Sequence, residues 1–239
     1  MSNLSIVIPA RNEAENIIAL VNGIDAALAS LAPFEIIVVD DGSTDNSVAV
    51  LTERALSMPH LRIIRHDQSA GQSAGVHSGV LAARSPIICT LDGDGQNPPE
   101  DAPKLADMLI AAPPQVALVG GVRQKRQDSQ AKLWASRWAN RIRKRLLGDD
   151  ADDTGCGLKA FRRDVFLRLP YFDHVHRYLP ALVIREGYEN RYLPIGHRHR
   201  ETGQSKYTNW GRLKNSFSDL LGVMWLKTRS RRPGGISEF

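Results

Sequence analysis

Short apolar runs and longer amphipathic stretches alternate along the first 120 residues of the chain. The apolar runs are rich in β-branched residues and are bounded by turn-forming or charged residues, which is typical of buried strands. They predict strands at residues 4–9, 34–40, 61–64, 87–92 and 116–119.

The gaps between these predicted strands carry apolar residues at helical spacing. This spacing predicts helices at about residues 13–31, 45–57, 71–84 and 99–111. Apolar strands that alternate with helices form mostly parallel sheets with helices on both faces. The sequence therefore predicts an α/β fold whose ligands bind beyond the carboxyl ends of the strands.

Polar segments directly follow three of the predicted strands. They are residues 9–13 after the first strand, 40–45 after the second and 92–97 after the fourth. Helix capping accounts for Ser43 or Asp45, since Ser and Asp favour the first turn of a helix. Capping leaves unexplained an aspartate doublet in the second segment and an Asp-Gly-Asp sequence in the third. We therefore interpret the three segments as parts of one ligand site.

A dinucleotide-binding Rossmann domain also has an acidic residue at the end of its second strand. That fold needs a glycine-rich turn after the first strand, where the backbone approaches the diphosphate. Residues 9–13 read Pro-Ala-Arg-Asn-Glu and contain no glycine, and the chain has no Walker-type phosphate loop. A diphosphate would therefore be bound here by another device.

Asp92 and Asp94 can supply that device. Residues i and i+2 of an extended segment point to the same side, so the two carboxylates can face one point. Two carboxylates repel each other unless a cation lies between them. Hard oxygen ligands suit Mg²⁺ or Mn²⁺, which also bind substrate phosphates. Gln96 adds a neutral oxygen two residues later, and the three residues predict a divalent-cation site.

The 239 residues carry a formal net charge of +5 that is unevenly distributed. The net charge is −8 over residues 1–120, +8 over 121–147, −1 over 148–196 and +6 over 197–239. Basic segments late in the chain indicate anionic partners. We do not expect nucleic acid to be one of them, because no recognition motif accompanies the basic residues and the acidic front half would repel a phosphate backbone.

Two amphipathic stretches carry many of these basic residues. Residues 129–147 place Trp and Leu side chains on one helical stripe with Lys and Arg around it. Residues 211–227 form a second stripe, and a basic tail at 229–239, expected to be disordered, follows it. Both stripes are typical of helices that lie in a membrane interface. Packing on the sheet or in a dimer is the alternative for each.

Neither a secretory signal nor a membrane-spanning segment is expected, because no apolar run approaches about 18 residues. The two cysteines, Cys89 and Cys156, exclude a disulfide-rich secreted scaffold. We therefore expect one domain over residues 1–228 that lies in the cytoplasm, peripherally at the cytoplasmic face of a membrane.

Three motifs resemble those of family 2 glycosyltransferases with the GT-A fold. They are Ile-Val-Ile-Pro-x-x-Asn-Glu-x-Glu-Asn at 6–16, Ile-Val-Val-Asp-Asp-Gly-Ser-x-Asp at 37–45 and Asp-Gly-Asp-Gly-Gln at 92–96. Within that family, the chain most resembles the polyprenyl-phosphate sugar transferases, of the dolichol-phosphate mannosyltransferase type and its bacterial relatives. Three later segments carry this closer resemblance, at 153–162, 176–180 and 200–207.

The resemblance implies a nucleotide site, a cation site and a set of phosphate-binding residues. The nucleotide would contact Pro9, Arg11, Glu13, Val39, Asp41, Asp92 and Gly93. The cation, Mg²⁺ or Mn²⁺, would be held by Asp92, Asp94 and Gln96. Arg123, Arg200 and Lys206 would surround the phosphates of donor and acceptor, and with Asp94 they form the expected catalytic set.

The implied reaction transfers a hexose-type sugar from a GDP- or UDP-linked donor to a polyprenyl phosphate, with inversion. Negative charge develops on the leaving diphosphate, where a metal ion and Arg or Lys donors stabilise it. The acceptor oxygen of a lipid phosphate is already anionic at neutral pH, so we assign no general base. The chain would reach its lipid by surface helices at the membrane or through a separate membrane protein partner.

Two other functions remain open at this point. A family 2 enzyme that builds a polysaccharide or glycolipid on a hydroxyl acceptor would need a base, for which Asp94, Asp152 and Asp153 are candidates. A non-catalytic sugar-nucleotide-binding or membrane scaffold protein could also use this fold. The presence of Asp92, Asp94, Arg200 and Lys206 favours an enzyme.

Overall fold

The chain is described here from a computed structural model. The model describes residues 3–124, 141, 143–198 and 209–230, with the backbone alone for 209–216. The described strands are β1 Leu4–Ala10, β2 Phe34–Asp40, β3 Leu61–Arg65, β4 Ile87–Thr90, β5 Val116–Arg123, β6 Lys159–Arg162 and β7 Glu189–Ile195. The described α-helices are α1 Ile17–Leu28, α2 Ser47–Ala55, α3 Gln72–Ala82, α4 Ala102–Ile110, α5 Arg163–Phe166, α6 Val175–Arg185 and α7 Asn209–Thr228.

The described strands form one mixed sheet in the order β3-β2-β1-β4-β6-β5-β7. Strands β1 to β4 pair in parallel, and β5 pairs in parallel with β7. Strand β6 lies between β4 and β5 and is antiparallel to both. The mostly parallel α/β sheet and its first five strands are confirmed, whereas β6 and β7 were not predicted from the sequence.

Helices cover both faces of the sheet, as the apolar strands require. Residues of α1, α2 and α4 pack on one face against side chains such as Ile6 and Ile8. Residues of α3, α6 and α7 pack on the other face against Val7, Ile37 and Val39. This alternation along β1 and β2 follows from the two-residue period of a strand. In the part of the chain that the structure describes, helices thus pack on both faces of the sheet.

Helix α3 lies unusually close to the sheet. A Cβ atom at Gly79 would overlap the side chain of Val7, and one at Gly75 would lie 2.8 Å from Cβ of Pro9. Both positions therefore accept only glycine without rearrangement. This close packing fixes where α3 begins, above the carboxyl ends of β1 and β4.

Helix α7 spans the residues of the second stripe, 211–227, and its described apolar side chains lie on two faces. Val223 is buried, and Leu220 and Met224 pack against the core. Phe217, Leu221 and Trp225 are exposed by 64, 49 and 58 %. Residues 217, 221 and 225 lie four apart, so they form one exposed stripe on α7. Among the described side chains of this helix, packing against the core thus leaves the stripe of Phe217, Leu221 and Trp225 uncovered.

The other amphipathic stretch is described only at its carboxyl end, since 129–140 lie outside the described residues. Residues 143–147 are helical, and Leu147 is fully buried. Arg143 forms an ion pair with Asp149 at 2.6 Å, and Lys144 forms one with Asp152. These two cations, which we expected around a lipid-facing stripe, are therefore paired within the protein. In the part of the chain that is described, no helix is both long and apolar enough to cross a membrane.

Candidate active site

The loops that follow β1 and β2 are joined by reciprocal hydrogen bonds. The backbone N–H of Asn12 donates to Oγ of Ser43 at 2.9 Å, and that of Thr44 donates to Oδ1 of Asn12 at 2.8 Å. Asn12 has φ of 54°, a left-handed conformation that Asn tolerates better than most residues. Of the two capping candidates, Ser43 is therefore not the one used, because its hydroxyl binds the neighbouring loop instead.

Asp45, the other candidate, lies directly before the N-cap residue Asn46 and accepts hydrogen bonds at the start of α2. Its Oδ1 accepts from the backbone N–H of Ser47, the first residue of α2, at 3.0 Å. Its Oδ2 accepts from the backbone N–H of Ala14 at 3.2 Å. Asp45 therefore fixes the start of α2 to the segment that leads into α1.

The two aspartates of the doublet have different surroundings. Asp40 is fully buried, and its Oδ2 accepts from the N–H of Ser43 at 3.2 Å. Its Oδ1 has no hydrogen-bond partner among the described residues. Asp41 is 5 % exposed and is surrounded by donors from the turn at residues 66–71. Asp40 thus has one buried oxygen that accepts no hydrogen bond among the described residues, whereas both oxygens of Asp41 accept hydrogen bonds.

Four groups approach the Asp41 carboxylate at 2.7–2.9 Å: the N–H groups of Ala70 and Gly71, the hydroxyl of Ser69 and Nδ1 of His66. Burial alone would raise the pKa of Asp41. The hydrogen bonds from the Ala70 amide, the Ser69 hydroxyl, His66 and the Gly71 amide outweigh it and lower the pKa to about 2. Asp41 is therefore an ionised carboxylate that holds this turn through hydrogen bonds. Its expected contact with a nucleotide stays a prediction.

Asp92 is held from two directions at the end of β4. Nε2 of Gln72, the first residue of α3, donates to Oδ1 of Asp92 at 2.6 Å. The carboxylate also packs directly on Gly157, where a Cβ atom would overlap all three of its atoms. Burial and the neighbouring charge of Asp94 raise the pKa of Asp92 to about 6, against the opposing effects of Lys159 and Arg123. The ionised pair is therefore an unfavourable arrangement that a cation would relieve.

Asp94 and Gln96 continue the site away from α3. The backbone N–H of Gln96 donates to Oδ1 of Asp94 at 3.1 Å, and the carbonyl of Gln96 accepts from the N–H of Arg198 at 2.9 Å. Asp94 opens into a groove of about 510 Å³ along α1, whereas Asp92 lines a small cavity beside α3. The described residues contain no group of three or more His, Cys, Asp or Glu placed to hold a metal ion. Any cation here would take ligands from Gln96, from water or from a substrate as well.

Arg123 lies at the end of β5, close enough to Asp92 for the two charges to interact. Its guanidinium forms two hydrogen bonds with Asp153, at 2.7 and 2.8 Å. Burial would lower the pKa of Arg123, but Asp153 raises it above the ordinary value. Arg123 is therefore a fixed cation beside the carboxylate pair, with part of its charge balanced. Asp152 and Asp153, candidates for a base, are each engaged in an ion pair.

The other residues predicted to bind the nucleotide or the phosphates differ in their exposure. Pro9 lines the small cavity beside Asp92, and Gly93 is buried beside Ala10. Glu13 begins the turn into α1, and Arg11 is exposed. The side chain of Val39 is fully buried in the core, so only its backbone could contact a nucleotide. Arg200 and Lys206 lie outside the described residues.

Three residues at the site had no role assigned from the sequence. They are Gln72 on Asp92, the buried Lys159 and His176, whose Nδ1 lies 2.7 Å from Oγ of Ser73. Burial and the charge of Lys159 hold the pKa of His176 well below its usual value, so its imidazole is neutral. The segments at 153–162 and 176–180 had flagged Lys159 and His176 without a function. No sequence motif pointed to Gln72, because its contact with Asp92 depends on where α3 lies in the fold.

The family model described as "Glycosyl transferase family 2" matches residues 5–169, which include the loops after β1, β2 and β4. The chain belongs to glycosyl transferase family 2. This family 2 glycosyltransferase is an enzyme that transfers a sugar, and its mixed, mostly parallel sheet is the GT-A fold.

Two relatives share 35 % identity over 223 residues, which is 92 % of this glycosyltransferase and 67 % of each relative. Both are named undecaprenyl-phosphate 4-deoxy-4-formamido-L-arabinose transferase, one from Sodalis glossinidius and one from Klebsiella pneumoniae.

Solved structures with the same fold are more distant in sequence. A glucosyl-3-phosphoglycerate synthase from Mycobacterium tuberculosis, solved with Mn²⁺ and UDP, has a TM-score of 0.68 and 18 % identity over 98 % of this chain and 82 % of its own. A mannosyltransferase from Pyrobaculum calidifontis, solved with GDP-mannose and Mn²⁺, has a TM-score of 0.67 and 17 % identity over 97 % of this chain and 65 % of its own. These likenesses support the fold assignment.

Proposed function

We propose that this glycosyltransferase moves a sugar from a nucleotide-diphosphate donor to a polyprenyl phosphate at the cytoplasmic face of a membrane. The observation that carries the proposal is the 35 % identity, over 92 % of the chain, with relatives named as undecaprenyl-phosphate transferases. The sugar expected from the sequence is of hexose type. The names of the relatives specify a formamido-arabinose instead, so both classes belong in the test.

A divalent cation, Mg²⁺ or Mn²⁺, fits the donor set at the end of β4. The carboxylates of Asp92 and Asp94 repel each other, and Asp92 carries a pKa raised to about 6 by burial and by that repulsion. Asp92, Asp94 and Gln96 would hold the ion through hard oxygen atoms. When bound, it would stabilise the negative charge that develops on the departing diphosphate. Related structures with Mn²⁺ and a nucleotide agree with this assignment.

The side chains around the carboxylate pair have separate tasks in this proposal. The loops after β1 and β2, joined by Asn12 and Ser43, would hold the nucleotide through Pro9, Arg11 and Glu13. Arg123, fixed by Asp153, would face the phosphates together with Arg200 and Lys206. No side chain has to remove a proton, because the acceptor phosphate is already anionic. A single displacement with inversion is the expected stereochemical course.

The exposed stripe of α7 supports the membrane part of the proposal. Phe217, Leu221 and Trp225 present apolar surface, while the guanidinium of Arg229 lies 5.9 Å from the ring of Trp225. Trp and Leu beside basic residues are typical of helices that lie in the headgroup region of an anionic bilayer. The partner we propose is therefore the membrane surface itself, and a separate membrane protein is not required by this arrangement.

The test is incorporation of labelled sugar into undecaprenyl phosphate by the full chain in the presence of Mn²⁺. The donor panel contains GDP-mannose, UDP-glucose and a nucleotide-activated 4-deoxy-4-formamido-L-arabinose. We expect one donor to give product, Asp94→Asn to lower the rate at least about a hundredfold, and Asp107→Asn, an exposed change on α4, to leave it unaltered. Transfer to a hydroxyl acceptor in place of the lipid phosphate would contradict the proposal, and activity that survives Asp94→Asn would contradict the metal site.

A further inference from the structure

Gln72 is the one described residue that donates a hydrogen bond to the carboxylate of Asp92, with its Nε2 2.6 Å from Oδ1. Gly157 also lies against that carboxylate, because a Cβ atom on it would overlap Asp92. Rotation of the Asp92 side chain would therefore break the Gln72 hydrogen bond or the contact with Gly157. The amide therefore selects one orientation of this aspartate.

The chemistry of an amide suits this task. Carboxylate oxygens accept in about four lone-pair directions, and a single N–H from Gln72 occupies one of them. The amide is neutral, so it orients Asp92 without cancelling the charge that would attract a cation. A Lys or Arg in the same place would itself satisfy that charge and compete with the ion.

The position of Gln72 is in turn set by Asp41. The amides of Ala70 and Gly71 donate to Asp41 at 2.8 and 2.9 Å. Gly71 has φ of 90°, which lets the chain turn sharply into α3 at Gln72. The second aspartate of the doublet on β2 thus fixes the turn that presents Gln72 to the aspartate on β4. Asp41, Gln72 and Asp92 form a connected path across the carboxyl ends of three neighbouring strands.

We propose that Gln72 is a positioning residue that holds Asp92 in the orientation needed to bind the divalent cation. This inference rests on the proposed metal site and adds a residue to it that binds neither metal nor substrate. Hydrogen-bonded partners of metal ligands typically change metal affinity about 10- to 100-fold when they are removed.

The experiment measures Mn²⁺ affinity of the full chain by the electron paramagnetic resonance of free Mn²⁺, with UDP present and with GDP in a parallel series. Gln72→Met keeps the length of the side chain and removes the donor. The matched control is Gln68→Met, the same change at an exposed position on the same turn. We expect Gln72→Met to weaken Mn²⁺ binding at least tenfold and Gln68→Met to change it less than about twofold.

A second readout separates positioning from general damage to the fold. In the transfer assay, Gln72→Met should raise the Mn²⁺ concentration needed for half-maximal rate, and added Mn²⁺ should restore most of kcat. The thermal unfolding midpoint of both variants should stay close to that of the wild-type chain, as a check that each variant is folded.

The outcomes distinguish this inference from the metal site on which it rests. If Asp92→Asn abolishes Mn²⁺ binding while Gln72→Met binds as tightly as wild type, the role of Gln72 is refuted and the metal site stands. If wild type and Asp92→Asn bind Mn²⁺ equally, the metal site itself is refuted and the inference falls with it.

Discussion

The carboxylate of Asp92 packs directly on the Cα atom of Gly157, with no room for a side chain between them. Gly157 belongs to the segment that leads into β6, whereas Asp92 follows β4. The antiparallel pairing of these two strands brings the residues together: Thr90 pairs with Lys159, and the hydroxyl of Thr90 donates to the carbonyl of Gly157 at 2.8 Å. The segment that leads into β6, the strand between β4 and β5, therefore supports the proposed metal ligand.

Gly157→Ala should displace Asp92 while leaving the fold intact. The new methyl group would overlap the carboxylate, and the side chain of Asp92 can move only away from Gly157, out of its hydrogen bond with Gln72. We expect at least a tenfold loss of kcat/KM and of Mn²⁺ affinity. Steady-state assays against Mn²⁺ concentration measure both. Gly222→Ala, at a position where an added Cβ meets nothing within 4 Å, is the control and should have wild-type activity.

Removal of the divalent cation should abolish transfer. Excess EDTA leaves Asp92 and Asp94 as an uncompensated pair of carboxylates, and the leaving diphosphate then lacks its main charge partner. We expect the labelled-sugar assay to fall to background and to recover when Mn²⁺ or Mg²⁺ is restored in excess. Full activity in EDTA, after repeated buffer exchange, would refute metal dependence.

Acid should weaken the fold through Asp41. Its pKa is about 2 in the folded chain against an ordinary value of 3.8, so its stabilising effect is complete above about pH 4 and is lost as the pH falls toward 2. A shift of this size corresponds to about 2 kcal/mol of unfolding free energy. Urea denaturation at a series of pH values should show that loss in wild type.

Asp41→Asn isolates the contribution of this residue. The variant should be less stable than wild type by about 2 kcal/mol at pH 7, and the difference should shrink as the pH approaches 2. Asp67→Asn, at an exposed position on the turn that Asp41 binds, should follow the wild-type curve. Parallel curves for wild type and Asp41→Asn down to pH 2 would contradict the stabilising hydrogen bonds between Asp41 and the turn at 66–71.

The exposed stripe of α7 should bind anionic bilayers. Leu221→Asp with Trp225→Ser removes two of its three exposed side chains, and each large apolar side chain contributes about 1.5–3 kcal/mol when it leaves water. We expect the double variant to bind phosphatidylglycerol-containing liposomes at least tenfold more weakly in a sedimentation assay. Leu56→Asp changes a residue of 86 % exposure that follows α2 and should bind like wild type. Equal binding by all three proteins would refute α7 as the membrane contact.

Much of this architecture followed from local patterns. The strands β1, β2 and β4 are buried on both faces, and their consecutive apolar residues, mostly Val and Ile, indicated this burial in the sequence. Parallel strands bring their carboxyl ends to one edge, so the convergence of the acidic segments follows from the alternation of strands and helices alone. Asp92 and Asp94, the proposed ligands of the divalent cation, were for this reason identifiable from the sequence.

The tertiary structure decided what no local pattern contains. Strand β6 has four residues, Lys159–Arg162, with charged residues at both ends, and it becomes a strand by pairing with β4 and β5 on both sides. The support of Asp92 by Gln72 and Gly157 joins residues 20 and 65 positions away, and the division of α7 into a packed face and an exposed stripe depends on where the helix lies on the core. The sequence by itself determined which side chains are available to bind a metal ion and phosphates. The packing of distant segments determined how those side chains are oriented, because orientation depends on contacts between residues that no spacing along the chain relates.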